Sequence, residues 1–457
     1  MEKKTKIILG ALTIIAIIAV SIVFGISKLD KISVISTSLS AVTSVVKLLP
    51  IEKDTKKEIE TIDVLVNEFT KKDGRERRFL ILLQNNMELR PGGGFLGQYA
   101  IIKMKDGNVT ENYFEDANLL DQRITAKIPA PYPFKRMMSI KKWKFRDSNF
   151  SPDFPTNAEK AKYFYRLSGR NSQFDGVIAV NADTFNRVFE LTGPINIPGY
   201  NVILNSENAT LKLEEIVEKK YIMDANIDTQ NRKAIMKTLT NLIVEKLVRV
   251  ENISKISKFA LEELRNKDVM FNFTDGNLQK MIEDVHWGGR VAENWGEDYL
   301  MLVDANMGAL KSNYYVKRDV EYNVDLTGEK PVAELKVFYR HEATYGDWRT
   351  SDYHSYFRVY APEGSNLLER EMVSYPLTET DFNKTYFGFL MHVLINGKTN
   401  VRIKYELPEK VREGDYKLLV QKQSGMGDVP FKVNVKTNDG EFSHEEILKK
   451  DLKFELK

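Results

Sequence analysis

The sequence predicts an α/β domain followed by an all-β sandwich, both carried on one N-terminal transmembrane helix. Three observations predict this: an uncharged apolar run opens the chain, strands mixed with helices fill residues 76–312, and after Tyr314 helices almost vanish. Lys3, Lys4 and Lys6 precede the apolar run, which extends from Ile7 to Ile26. About 20 residues at ~1.5 Å rise each span the ~30 Å hydrocarbon layer, whereas a cleaved signal peptide has a shorter apolar core. Lysines ahead of the run favour a cytoplasmic N-terminus, so a single-pass cell-membrane protein with its bulk outside the cytoplasm is expected. A removed signal peptide is the alternative.

Ile32, Ile35, Leu39, Val42, Val46 and Leu49 recur at helical spacing, Pro50 ends that helix, and a charged helical stretch runs from Lys56 to Phe69. The expected organisation is a cytoplasmic tip and anchor over 1–27, a helical stalk over 28–75, an α/β domain over 76–314 and a β-sandwich over 315–457. The helices of 28–75 could equally belong to the folded domain.

Within the α/β domain, Phe79-Leu80-Ile81-Leu82-Leu83 is a continuous apolar run, the pattern of a strand buried on both faces. Gln98–Met104 and Val109–Phe114 read as a hairpin about Asp106-Gly107. Helices are predicted over 157–167 and 182–191, with a buried strand over 175–180 between them. Further helices are predicted over 211–221, 228–248 and on through Leu264, with a late strand over 299–303. From Tyr315 onward, short alternating runs separated by turn residues predict the sandwich.

Lys+Arg number 67 and Asp+Glu 64, a balance that argues against a dedicated nucleic-acid binder. The chain has no cysteine, which excludes disulfides, thiolate metal sites and cysteine nucleophiles. None of its five histidines lies three or four residues from another, so the helical zinc-ligand pattern is absent. Walker, Rossmann and nucleophile-elbow motifs are absent too.

Two stretches stand out. In Asn85-Asn86-Met87-Glu88-Leu89-Arg90-Pro91-Gly92-Gly93-Gly94-Phe95, polar residues leave a buried strand and three glycines follow. Exposed amides there would hold an anion with Arg90, or the glycines would serve a tight backbone crossing with Glu88 and Arg90 solvated or paired. In Arg146-Asp147-Ser148-Asn149-Phe150-Ser151-Pro152-Asp153-Phe154-Pro155, a polar, proline-rich loop suits function, while Asp153 or Thr156 suits a helix cap. Asp228, Arg232 and Lys233 open a long predicted helix, where an anion or a simple cap would sit.

The stretch from Phe79 to Phe95 resembles the hallmark of a bacterial family of domains of unknown function, the one numbered 4012. So do Ser151-Pro152-Asp153-Phe154-Pro155, Phe174-Asp175-Gly176-Val177-Ile178-Ala179-Val180, Leu191-Thr192-Gly193-Pro194, Asp304-Ala305-Asn306 and Lys422-Gln423-Ser424-Gly425. A more distant resemblance is to LytR-CpsA-Psr proteins. Phe174 to Pro198 is similar to their strand, helix and small-residue turn, and Leu211 to Leu247 to the segment where arginines open a long helix.

That second resemblance implies a mixed sheet with flanking helices and transfer of polyprenyl-pyrophosphate-linked glycan to the cell wall, with arginines on the pyrophosphate and an acidic residue working with magnesium. By position, Arg90 matches the first arginine and Arg232 a later one. The candidate site of such an enzyme takes Glu88, Asp116 and Asp147 as catalytic carboxylates. Arg90, Gly92, Gly93, Gly94, Arg146 and Arg232 would bind phosphate, and Asp121 and Asp153 would bind magnesium. The enzyme would be a magnesium-dependent phosphotransferase or pyrophosphohydrolase, because a pyrophosphate needs arginine forks and a metal to offset developing charge. Expected partners are the membrane and lipid-linked glycan or peptidoglycan, with no nucleic acid. The relatives have an aspartate soon after the first arginine, where this chain has Pro91 and glycines, and Tyr221–Asn226 contains no arginine. Those departures motivate an alternative, a non-catalytic envelope protein that binds glycan or scaffolds partners.

Overall fold

A computed structural model describes residues 53–198, 202–215, 253–412 and 414–456, together with 238–239, 242–243 and 246. The apolar run Ile7–Ile26, the first predicted helix, Arg232 and most of the helix predicted over 228–248 lie outside the described residues. Among the described residues no helix is long and apolar enough to cross a membrane.

The helices are α1 (Lys53–Thr70), α2 (Ala117–Arg123), α3 (Phe134–Met138), α4 (Phe154–Leu167), α5 (Ala182–Thr192), α6 (Ala209–Glu214), α7 (Ile253–Arg265) and α8 (Gly276–Asp284). The strands before the long β region are β1 (Glu76–Asn85), β2 (Phe95–Lys105), β3 (Asn108–Asp116), β4 (Gly176–Asn181), β5 (Ile195–Ile197), β6 (Val202–Leu204) and β7 (Val269–Phe273). Then come β8 (Asp298–Asn306), β9 (Val316–Asp325), β10 (Val332–His341), β11 (Tyr353–Pro362), β12 (Asn366–Glu371) and β13 (Ser374–Asp381). The last are β14 (Lys384–Val393), β15 (Lys398–Glu406), β16 (Tyr416–Gln421), β17 (Val429–Thr437), β18 (Gly440–Leu448) and β19 (Leu452–Leu456). The protein is thus mixed α/β, with several sheets and a preponderance of strand.

The chain divides into two compact units. Among the described residues, the first holds those of Lys53–Gln84, Gly97–Leu119 and Asn171–Gly288; the second holds those of Asn85–Leu96, Leu120–Arg170 and 289–456.

The first unit is built on a five-stranded mixed sheet in the order β3-β2-β1-β4-β7. β1 and β4 run parallel, with Phe79 opposite Gly176 and Leu83 opposite Val180, and β7 is antiparallel to β4. Every residue of β4 is buried, which is why it and β1 read as unbroken apolar runs. The β2–β3 hairpin turns at Asp106 and Gly107, both at positive φ (51° and 79°), as the Asp-Gly signal requires. β7 was not legible in the sequence: it is five residues long and follows a helix with almost no turn signal.

Ile62, Leu65, Val66 and Phe69 of α1 are buried with Phe79, Ile81, Phe271 and Phe273. The Phe69, Phe79 and Phe273 rings meet with centroids 5.2–6.4 Å apart. Of the two readings of the helices in 28–75, stalk or part of the folded domain, Lys53–Thr70 fits the second, because that helix buries its apolar face in a domain core. A second core joins α5, β5, β6 and α7 through Phe189, Ile197, Leu204 and Phe259.

The second unit is two six-stranded sheets, β12-β15-β10-β9-β17-β18 and β13-β14-β11-β8-β16-β19. They share one core: Val320, Tyr322, Leu335, Val337 and Ile403 come from the first, and Leu302, Phe357, Phe387, Phe389 and Leu418 from the second. β10 alternates buried and half-buried along its whole length, the period-2 pattern read from sequence. Neighbours are mostly antiparallel, but β16 runs parallel to β8 and β17 parallel to β9.

The expected boundary at 314/315 does not coincide with this division. β8, expected as a late strand of the α/β domain, lies at the middle of a sandwich sheet between β11 and β16. All nine of its residues are buried. One face meets the shared core, and the other is covered by side chains from outside the two sheets, among them Val291, Phe134 and Phe150. Burial on both faces removed the alternation that marks the other sandwich strands.

If α1 is part of the first unit, Phe69→Ala costs about 3–5 kcal/mol. Val64→Ala on the exposed face costs within about 0.5 kcal/mol. Denaturant unfolding of the two variants separates a core helix from a stalk.

Candidate functional site

The chain enters the second unit at Asn85 and makes a closed loop there. The Glu88 amide donates to the Asn85 carbonyl (3.1 Å), and the Phe95 amide returns to the Glu88 carbonyl (2.9 Å). Arg90, at the loop's centre, is 1% exposed. Its Nη2 pairs with Glu88 Oε1 at 2.8 Å, its Nη1 donates to the Asn306 carbonyl at 2.6 Å, and Asp147 Oδ1 lies 3.7 Å from Nη2. The guanidinium carbon sits 5.3 Å from the Phe95 ring centroid. An arginine stripped of water needs such partners to recover its desolvation cost.

The same residue anchors two distant segments through its backbone. Gln423 Nε2 donates to the carbonyls of Arg90 (3.1 Å) and Asp304 (2.8 Å), while Gln423 Oε1 accepts the Asp304 amide (2.9 Å). The Asn306 amide donates to the Leu89 carbonyl (2.9 Å), and Asn86 Nδ2 donates to the Gly425 carbonyl (3.1 Å). Asp304, buried beneath this knot, takes Arg318, the Tyr339 hydroxyl (3.0 Å) and Ser355 Oγ (2.8 Å).

The glycines are there for close backbone packing. A β-carbon on Gly92 would lie 2.3 Å from Asn157 Nδ2, and one on Gly94 would lie 2.3 Å from the Asn85 carbonyl carbon. One on Gly425 would lie 1.9 Å from the Gly93 oxygen. The Gly92 amide is taken by the Asn149 carbonyl (3.0 Å) and the Gly93 amide by the Arg90 carbonyl (2.9 Å). Asn149 Nδ2 donates to the Gly94 carbonyl. Of the two sequence readings of this loop, the tight crossing is the one that matches this geometry.

The structure brings Glu88, Arg90, Gly92, Gly93, Gly94 and Asp147 together. Burial is the largest influence on the Glu88 and Asp147 carboxyls and raises both, against the pull of Arg90. Asp121, on α2, accepts the Phe145 amide (2.7 Å) and lies 3.6 Å from Arg146 Nε. Burial pushes its carboxyl up to about 6, with Phe145 and Arg146 acting the other way. Asp153 caps α4, accepting Thr156 N (3.0 Å) and Thr156 Oγ1 (2.7 Å), and its other oxygen accepts the Val291 amide (3.0 Å).

Asp116 belongs to the first unit, where it accepts the Asn118 amide (2.7 Å) at the end of β3. Arg232 lies outside the described residues. Among the described residues, no three His, Asp or Glu side chains are grouped to hold a metal. Asp121 and Asp153 each accept backbone amides. Asn306, Gln423 and Asn149 were missed as site residues. Asn306 and Gln423 stood out only within motifs of the resemblance, because nothing local shows that segments more than 200 residues apart meet.

Gly425→Ala, at φ 74° and against the Gly93 oxygen, is expected to cost on the order of 3 kcal/mol or more; Gly427→Ala, with open space around it, should stay within about 0.5 kcal/mol. Thermal melts of the two variants check this. For Asp121, the folded state holds its proton to higher pH than the unfolded chain, whose carboxyl titrates near 4. Its stabilising contribution is present below about pH 4 and lost as pH rises through about 6. Wild type should therefore lose on the order of 2–3 kcal/mol relative to Asp121→Asn between pH 4 and 7, read from paired melts.

No curated protein matches the chain. Residues 74–217 match the model of the family described as "Protein of unknown function (DUF4012)", so the family resemblance carried by residues 79–95, 151–155, 174–180 and 191–194 is shown over that stretch of the chain.

Proposed function

We propose that this chain is a membrane-anchored, extracytoplasmic protein of the cell envelope that binds envelope glycan or scaffolds partners without catalysing glycan transfer. The observation that carries the reading is the state of Arg90. Its guanidinium is buried and engaged by Glu88 and the Asn306 carbonyl, and the Gly92 and Gly93 amides beside it are engaged as well. A pyrophosphate needs arginine forks and amides that face it, and these donate to acceptors within the protein: Glu88, and the carbonyls of Asn306, Asn149 and Arg90. The anchor and the outer location rest on the lysine-flanked run Ile7–Ile26. In this reading the five-stranded mixed sheet is LytR-CpsA-Psr-like in fold, and the chemistry is separate from the fold.

One observation favours the second reading, a magnesium-dependent phosphotransferase or pyrophosphohydrolase. Glu88 and Asp147 are two buried carboxyls, both raised, beside one arginine, and perturbed carboxyl pairs often mark acid–base sites.

The test uses the full-length chain in detergent micelles, with thermal melts in a short-chain polyprenyl pyrophosphate, with and without magnesium, and co-sedimentation with isolated cell-wall sacculi. The non-catalytic reading expects sedimentation with sacculi and no rise in melting temperature. A saturable rise with the pyrophosphate that is lost in Arg90→Lys overturns it in favour of the transferase. Arg90→Ala is expected to destabilise by about 3–5 kcal/mol, because it leaves Glu88 buried without its partner.

A further inference from the structure

The sheet β13-β14-β11-β8-β16-β19 has an outer face that is covered over part of its length. Phe134 and Phe150 are buried there with Tyr356 of β11, and Leu390 of β14 packs against them. The next cross-strand pair along that face is His354 and His392, which stand directly opposite one another in the β11–β14 register. Both are exposed, whereas Tyr353, Met391 and Val393 beside them in the chain belong to the core shared by the two sheets. No local motif marks this pair, because the two histidines come from different strands and only the sheet register sets them side by side.

The two ring centroids are 6.3 Å apart and the ring planes are tilted by 34°. Among the described residues, neither side chain has a hydrogen bond or an ion pair, and the one ring contact of each is with the other. Their nitrogens are therefore open to an external group. The backbones beneath are fixed. The Met307 amide donates to the His354 carbonyl (2.8 Å), and Thr399 Oγ1 donates to the His392 carbonyl (3.0 Å). Such a pair is not a neutral surface choice. Like charges directly opposite on a sheet repel, so two protonated rings work against the strand pairing, and an ion shared between two neutral rings works for it.

We propose that His354 and His392 together hold a late first-row divalent cation, copper or zinc, in a two-imidazole surface site. Imidazole nitrogen suits copper, nickel and zinc, whereas magnesium and calcium take oxygen ligands. Two imidazoles on one ion, each with its nitrogen ~2.0–2.1 Å away, have centroids between about 4.5 and 6.5 Å apart, depending on the angle at the metal. The observed 6.3 Å lies inside that range. Small rotations of two exposed side chains, with no movement of the strands, bring one nitrogen of each ring onto the ion. Among the described residues no third His, Asp or Glu is grouped with the pair, so the ion keeps positions for water or for a donor on another molecule. That makes it an open, exchangeable site and not a closed structural one. The site shares no residue with the Arg90 cluster and does not depend on the glycan-binding reading.

The experiment titrates the untagged full-length chain in detergent micelles with Cu²⁺, Zn²⁺ and Mg²⁺ by calorimetry, and records pulsed electron paramagnetic resonance on the copper form. One Cu²⁺ per chain is expected, bound more tightly than Zn²⁺, with no Mg²⁺ binding. Losing one of two ligands costs at least as much as losing an outer-shell partner, so His354→Ala and His392→Ala should each weaken Cu²⁺ binding by about tenfold or more. His444→Ala, which removes an exposed histidine on β18, should leave it unchanged. The resonance should report two imidazoles on copper in wild type and one in either variant at the β11–β14 pair. Metal-free melts of those two variants should match wild type, because both rings are exposed. Equal binding by wild type and both variants overturns the site. So does a loss in only one of them, a single imidazole on copper in wild type, or a wild-type Kd for Cu²⁺ weaker than about 1 mM.

Discussion

The guanidinium of Arg90 has left water, and the surrounding geometry follows from what that demands. A buried arginine must find acceptors on several sides, and here they are a carboxylate two residues away and a main-chain carbonyl more than 200 residues away. Satisfying both brings the end of β8 against the loop that follows β1. Gln423 completes the arrangement by bonding the backbone on both sides of that junction. Two of the glycines are then a consequence: backbones drawn this close leave no room for a β-carbon at Gly94 or Gly425, while at Gly92 the Asn157 side chain fills that space. A cluster of arginine, carboxylates and glycines can therefore be an anion site or a structural joint, and what distinguishes them is where the donors point.

A similar economy governs the sandwich core. Asp298 is wholly buried on β8, and it is held by the hydroxyls of Tyr322 (3.0 Å) and Tyr416 (2.5 Å) and by the Tyr299 amide (2.8 Å). Burial pushes its carboxyl up to about 6, against the bonds from Tyr416 and Tyr322. Asp304, six residues on, is met by Arg318, Tyr339 and Ser355. Both acids sit on the strand that is buried on both faces, and each bonds to residues of the opposing sheet. Tyr322, Tyr339 and Tyr416 thus serve as hydrogen-bond donors to buried carboxylates as well as apolar filling.

Local signals made much of the fold legible. The apolar run of β1, the Asp-Gly hairpin and the alternation of β9 and β10 each depend on neighbours within a few residues, and each stands where the sequence placed it; of the two caps it offered, Asp153 and Thr156, Asp153 is the one used. β8 was assigned to the wrong neighbours because a strand covered on both faces has no period to show which sheet it joins. α1 read equally as stalk or as part of the folded domain because its charged residues outnumber its apolar ones, although most of the apolar ones share one face. Residues 28–52, the other part of that expected stalk, lie outside the described residues.

By itself, the sequence determined many of the helices and strands, which loops hold unusual chemistry and which family model its first motifs match, because propensity, periodicity and motif are local properties of a chain. Tertiary structure alone decided that Arg90 meets Asn306 and Gln423, that Asp116 stands in a different unit from Glu88 and Asp147, and that the glycines admit backbone. Those are facts of long-range proximity. A donor's partner depends on which remote segment the packing of apolar faces brings beside it, and no window of a few residues contains that information.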